Sequence, residues 1–98
     1  MAGLSFEWNE REDAENRRKH GVSFDEAQTV FFDDNALLMA DPDHSGDEER
    51  FILLGLSSAL RTLVVCHCYR RKGAVVRLIS ARRADRQERE QYEVRWTR

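Results

Sequence analysis

The sequence predicts an α+β fold: a small twisted antiparallel sheet with two N-terminal helices and one C-terminal helix. Three observations carry this expectation. Three segments open with a cap residue followed three positions later by Glu, the spacing of a capping box: Asn9 with Glu12, Ser23 with Glu26, and Asp85 with Glu88. Apolar, β-type runs are concentrated between residues 50 and 82. The breaks within that stretch are short, which joins successive strands as a meander.

The elements follow in order. Residues 5–8 alternate and predict a short first strand. Asn9 caps a helix that runs to about His20, where Gly21 terminates it. Ser23 opens a second helix over 24–32, in which Ala27, Val30 and Phe31 fall at helical spacing. A short strand covers 36–40, a polar loop 41–49, and a strand 50–57 that reverses around Ser58-Ala59. Residues 61–69 are the most apolar strand and are expected to be central. Arg70, Arg71, Lys72 and Gly73 form a basic hairpin turn, 74–82 the final strand, and Asp85 opens a helix to the C-terminus. The order is β-α-α-β-β-β-β-α.

With 98 residues, one proline and five glycines, the chain is expected to be a single domain over 1–98, without a linker. The 41% hydrophobic content, with seven aromatics besides the two tryptophans, suits a folded globule. No run is long enough to span a bilayer and no basic-then-apolar leader stands at the start, so a soluble cytoplasmic protein without membrane contact is expected. Cys66 and Cys68 flank His67 on a strand, where residues two apart share a face. That spacing disfavours a disulfide and supplies too few ligands for zinc, so both read as small buried hydrophobes, and no metal or cofactor is expected. The loop from Asp41 imitates a calcium loop at its start. The bidentate Glu required at its twelfth position is Ile52, so a solvated turn is expected there.

Charge is distributed unevenly. Residues 1–50 hold 5 Lys/Arg against 14 Asp/Glu, a net −9, and residues 51–98 hold 11 against 4, a net +7. The whole-chain net charge of −2 conceals this split. An acidic and a basic face follow if the fold keeps the halves apart, and the basic one suits nucleic acid or an acidic protein segment. Within the basic half, the final strand carries Arg77 in its middle and Arg82 and Arg83 at its end, directly before the capped helix. A strand holds such guanidiniums still, and their planar fork matches phosphate oxygens.

Two stretches, read together, resemble the BrnT family of toxins from bacterial type II toxin–antitoxin systems. One is Phe6-Glu7-Trp8-Asn9 followed by residues 16–27, with the run Lys19-His20-Gly21-Val22-Ser23-Phe24. The other is Arg77-Leu78-Ile79-Ser80-Ala81-Arg82-Arg83-Ala84, continued by Glu88-Arg89-Glu90-Gln91-Tyr92. The resemblance spans about residues 4–92. Asn9 stands where the family usually has Asp, and it caps a helix as well. The resemblance implies a RelE-like fold and an endoribonuclease that inhibits translation. It also implies a cognate ribbon-helix-helix antitoxin that neutralises the toxin and represses the operon. Operator DNA would then be met only through the antitoxin. A dimeric antitoxin suggests a hetero-oligomer of two toxins and two antitoxins.

RNA cleavage without a metal uses the 2′-hydroxyl as nucleophile and needs a base, an acid and cations around the transition state. Arg82 is the first candidate for phosphate stabilisation, against an ion pair with Glu88 or Glu90. Arg77 is either a second phosphate contact or a structural salt bridge, because a charge among Val75, Val76, Leu78 and Ile79 must find an open face or a partner. His67 is either an acid–base group or a satisfied core histidine. An even-numbered hairpin loop puts His67 on the face of Val76, Leu78, Ser80 and Arg82, with Arg77 beside Cys66 and Cys68; an odd-numbered loop exchanges these. Tyr92, two turns into the last helix, either orders the substrate or, with Trp96 four residues on, anchors that helix; packing is favoured. Lys19 and His20 complement the dipole at the end of the first helix, which is a sufficient physical explanation, and the resemblance implies RNA contact for them as well. Arg50, Arg70, Arg71, Lys72 and Arg83 are further candidates for RNA or partner contact. The competing function is a non-catalytic module that partners a DNA-binding repressor. It gains if Arg82, Arg77 and His67 are buried or paired only with carboxylates. Direct DNA binding is disfavoured, since the first two helices are acidic and no helix-turn-helix pattern is present.

Overall fold

A computed structural model of the chain describes residues 4–41 and 49–97. Strand β1 (Ser5–Glu7) is followed by α1 (Glu10–His20) and α2 (Phe24–Thr29), which tightens into a 3₁₀ turn, Val30–Phe32. Strands β2 (Leu37–Ala40), β3 (Phe51–Leu56), β4 (Thr62–Arg70) and β5 (Val75–Arg83) then lead to α3 (Arg86–Glu93) and a second 3₁₀ turn, Val94–Thr97. The element order is the expected one. Residues 42–48, with most of the calcium-like loop, lie outside the described residues, as does the side chain of Trp96.

Capping works as the sequence indicates. Asn9 accepts from the N–H groups of Arg11 and Glu12, and Ser23 from that of Glu26. Gly21 closes α1 in the left-handed conformation, φ 67°, with its N–H on the Arg17 carbonyl. The reciprocal box is complete at Asp85 and Glu88. Glu26 is instead diverted to Arg61 and Ser57.

The sheet has the order β1-β5-β4-β3-β2 and differs from expectation in one respect. It is mixed, because β1 pairs parallel with β5, Glu7 opposite Arg77. A three-residue strand carries no pattern that names its partner, and residues 8–74 serve as the long connection that a parallel pair requires.

The β4–β5 loop, 71–74, has an even number of residues. It pairs Tyr69 with Val76, Cys68 with Arg77 and His67 with Leu78. Register then slips by one residue, so that Cys66 faces Ser80, Val65 faces Ala81 and Val64 faces Arg82. This bulge overturns half of the face expected from an even loop. His67 stays with Val76 and Leu78, under the N-terminal helices, with Ala81 taking that side. Ser80 and Arg82 turn to the opposite face, the one of Cys66, Cys68 and Arg77.

One face of the sheet packs Val65, Val76, Leu78 and Ala81 against Val22, Phe24, Ala27 and Val30 of the α1–α2 segment. The other packs Leu54 and Val64 against Ala84 and Tyr92 of the α3 segment. His67 lies in the first layer with no solvent exposure (0%). Its Nδ1 donates to the Val65 carbonyl at 3.2 Å, which leaves Nε2 to accept from the Tyr69 hydroxyl at 3.2 Å. The Phe31 ring stands edge-on to it at 4.8 Å.

Helix α1 carries a single apolar residue, Ala14, so no hydrophobic stripe docks it. Two buried polar side chains do. Asp13 accepts from the N–H of Phe24 at 2.8 Å. Asn16 donates to the carbonyls of Val22 and Ala81, each at 2.8 Å, and accepts from the N–H of Ala81 at 3.1 Å. Strand β1 covers β5 only at Val75, Val76 and Arg77. Asn16 therefore serves as the hydrogen-bonding neighbour of the uncovered β5 edge.

Asn16→Ala should cost about 2–4 kcal/mol of unfolding free energy in urea, because it strands three buried backbone groups. A loss below about 1 kcal/mol would refute this docking. Burial pushes the His67 imidazole below its ordinary value, opposed in part by the hydrogen bond to Val65. With a lower value folded than unfolded, the unfolded chain takes up the proton first as pH falls. Stability is therefore full above about pH 6.5 and declines below it. His67→Phe should flatten the fall in urea midpoint between about pH 7.5 and 5.5. An unchanged slope would exonerate His67.

Candidate active site

The bulge in β5 and the docking of α1 together shape a groove on the α3 side of the sheet. Its volume is about 230 Å³, and its walls include His20, Asp41, Arg50, Ile52, Cys66, Ser80 and Arg82. Asn16 fixes the last turn of α1 beside β5, which brings His20 to Ser80. Arg50 enters just before β3, and its carbonyl accepts from the N–H of Asp41 at 2.9 Å. A smaller recess continues the groove along α1, sharing His20, Ile79 and Ser80 and adding Glu12, Glu15, Asn16 and Lys19.

Arg82, the cation at the end of β5, is held in place. Arg82 makes two parallel 2.8 Å hydrogen bonds to the two carboxylate oxygens of Glu88, and Nη1 also donates to the Arg83 carbonyl at 3.3 Å. Glu88 is itself fixed, because Oε1 accepts from the N–H of Asp85 in the cap of α3 at 2.8 Å. The hydrogen bond with Arg82 lowers the Glu88 carboxyl below its usual range, and that with Glu88 raises the guanidinium further. Lys19 lies 3.5 Å from Glu15. The Cys66 thiol is pushed up by burial and by Asp41, against Arg50 and a hydrogen bond with Ser80. It is therefore held as a neutral thiol, not a nucleophile. The groove can thus grip an anion with Arg82 and Arg50 and offers an imidazole, a hydroxyl and a thiol beside it.

Of the residues expected from sequence, Arg82, Arg50 and His20 converge here, with Lys19 adjoining. The others lie elsewhere. His67 is sealed on the opposite face, since the bulge parts it from Ser80 and Arg82. Arg77 is a salt bridge, not a groove residue: Nη1 donates to Glu7 at 3.2 Å, because the parallel β1 sets Glu7 directly across from it. Arg70 joins the same carboxylate at 3.5 Å. Arg71 and Lys72 sit in the hairpin turn at the far end of β5, both with positive φ. Tyr92 is 2% exposed, and its hydroxyl donates to Asp33 at 2.5 Å, so it anchors α3. Arg83 is exposed on the face opposite Arg82, across from Leu63. Sequence reasoning passed over Ser80, Cys66 and the positioning role of Asn16. The signal for Asn16 was a helix of good length with no apolar stripe. Among the described residues, no group of three or more His, Cys, Asp or Glu side chains is arranged to hold a metal ion. No described helix is long and apolar enough to cross a membrane.

No curated protein matches this sequence. The crystal structure of the Brucella abortus ribonuclease toxin BrnT superposes with a TM-score of 0.64 at 21% identity, over 86% of this chain and 100% of that one. That likeness is one of fold. A family model described as the ribonuclease toxin BrnT of type II toxin–antitoxin systems matches residues 8–88, which takes in α1, the whole sheet except β1, and the Arg82–Glu88 pair. This chain belongs to the BrnT family of ribonuclease toxins of type II toxin–antitoxin systems.

Proposed function

We propose that the chain acts as one RelE-like toxin domain, an endoribonuclease that cuts RNA without a metal in the groove of Arg82, Arg50 and His20. The observation that carries this is the convergence of two guanidiniums and an imidazole on one open groove. In the reaction, the 2′-oxygen attacks the adjacent phosphorus and loses its proton to a base. The P–O5′ bond breaks, and the leaving oxygen takes up a proton. The products are a 2′,3′-cyclic phosphate and a 5′-hydroxyl. Arg82 stabilises the charge on the non-bridging oxygens, with Arg50 as the second cation. His20 moves the proton at the 2′-oxygen, the part that His67 cannot fill from its buried position. Cleavage of this kind inhibits translation in the cytoplasm. A ribbon-helix-helix antitoxin neutralises the toxin in a complex of two toxins and two antitoxins, and that complex represses the operon.

The pairing of Arg82 with Glu88 and of Arg77 with Glu7 favours a second reading, a module that only holds a DNA-binding repressor. RNA cleavage by the wild-type chain, measured beside one variant, separates the two. Arg82→Ala removes an exposed ion pair, so its unfolding free energy should change by less than about 1 kcal/mol. Its cleavage rate on an RNA oligomer should fall about 100-fold or more, with the cyclic phosphate end lost in step. Cleavage within about threefold of wild type would remove Arg82 from the site, and no cleavage by the wild-type chain would leave the repressor-holding reading.

A further inference from the structure

A second basic recess lies at the open end of β4 and β5, outside the groove. Its volume is about 410 Å³, and Arg61, Arg83, Arg89 and Glu93 line it. The three guanidiniums come from three places: Arg61 from the β3–β4 turn, Arg83 from the last residue of β5, Arg89 from α3.

Their states differ. Glu26 clamps Arg61 through Nε and Nη2, and Nη2 also donates to the Gly21 carbonyl at 3.0 Å. That guanidinium is fixed and its charge is compensated. Arg89 donates Nη1 to the Ala84 carbonyl at 3.0 Å, a neutral acceptor that orients it without cancelling its charge. Arg83 is exposed, and among the described residues it makes no ion pair within salt-bridge distance. Glu93 is the carboxylate on the wall. The recess is thus net positive and concave, with oriented N–H donors, the chemistry that takes a phosphate.

We propose that this recess binds a backbone phosphate of the same RNA strand whose reacting phosphate lies at Arg82, next along the strand. The proposal rests on the groove reading above. Arg82 and Arg83 are consecutive, about 3.8 Å apart at Cα, and point to opposite sides of β5 where the strand ends. An RNA phosphodiester backbone crossing that end meets both. The two basins also approach each other from α1, since Arg61 holds the carbonyl of Gly21 and His20 lines the groove. An acidic protein segment has matching charge, but this continuity with the groove favours RNA.

The test is the affinity of the full chain for a 2′-O-methyl RNA oligomer, which binds but offers no 2′-hydroxyl to attack. Fluorescence anisotropy reads it between about 50 and 200 mM salt. Arg61 is left intact because its pair with Glu26 is structural. The double variant Arg83→Gln/Arg89→Gln should bind about tenfold more weakly. The slope of log K against log salt should shrink by about 0.7 for one lost phosphate contact. Arg86→Gln, exposed on α3 and paired with Glu90, should match wild type in both. Affinity within twofold and an unchanged slope in the double variant overturn the recess. So does a double variant that loses antitoxin affinity while keeping its RNA affinity. Arg82→Ala is measured alongside. If it weakens RNA binding and the double variant does not, the recess alone fails; if it binds and cuts like wild type, the groove reading fails first.

Discussion

The structure depends on the three hydrogen bonds of one asparagine. Helix α1 has no apolar face to bury, yet it sits against the sheet because Asn16 completes the backbone pairing of β5 at Ala81 and also holds Val22. A buried edge with unpaired N–H and C=O groups is costly, so this side chain stabilises the strand as much as the helix. The same contact fixes the loop that leads into α2, where Asp13 adds its bond to Phe24. It also fixes the last turn of α1, and with it His20 and Lys19. A hydrophobic stripe would tolerate sliding along its length. A paired amide allows one register only, and the groove needs one register.

The bulge in β5 is the second constraint. On a regular strand, Arg77 and Arg82 point to opposite faces, being five residues apart. The slip between Cys66 and His67 places them on one face and removes His67 from it. Arg82 then lies above Val64 and next to Ser80, within reach of the helix that follows. The direct passage from β5 into α3 explains its partner: the capping box that starts the helix presents Glu88 at the strand end.

How much of this the sequence discloses follows from what each signal encodes. Caps and turns are local, and the three cap residues, Gly21 and the basic hairpin mark the element order correctly. Loop parity is local too, and it places His67 beside Leu78. The bulge is hidden because Leu78-Ile79 is a pair of apolar residues that fits either phase of the alternation. The Glu7–Arg77 bridge is hidden for another reason. It depends on a parallel pairing between residues seventy positions apart, which three residues of β1 cannot specify. The convergence of His20, Arg50 and Arg82 is likewise a product of tertiary docking. Charge asymmetry indicates only that the basic half has a use.

An arginine already bonded to a carboxylate looks spent, but the geometry of Arg82 points the other way. A guanidinium carries five N–H donors in a rigid plane. Glu88 takes two and the Arg83 carbonyl shares that side, and among the described residues no partner sits on the Nε edge. The pair is 45% exposed on the Arg82 side, so solvent weakens it and little stability is at stake in loosening it. Glu88 does not move freely, since the cap of α3 holds it. The carboxylate therefore acts on Arg82 as the amide of Asn16 acts on α1. It sets one orientation of a long side chain before any anion arrives, and this spares the ordering that a free arginine would undergo on binding.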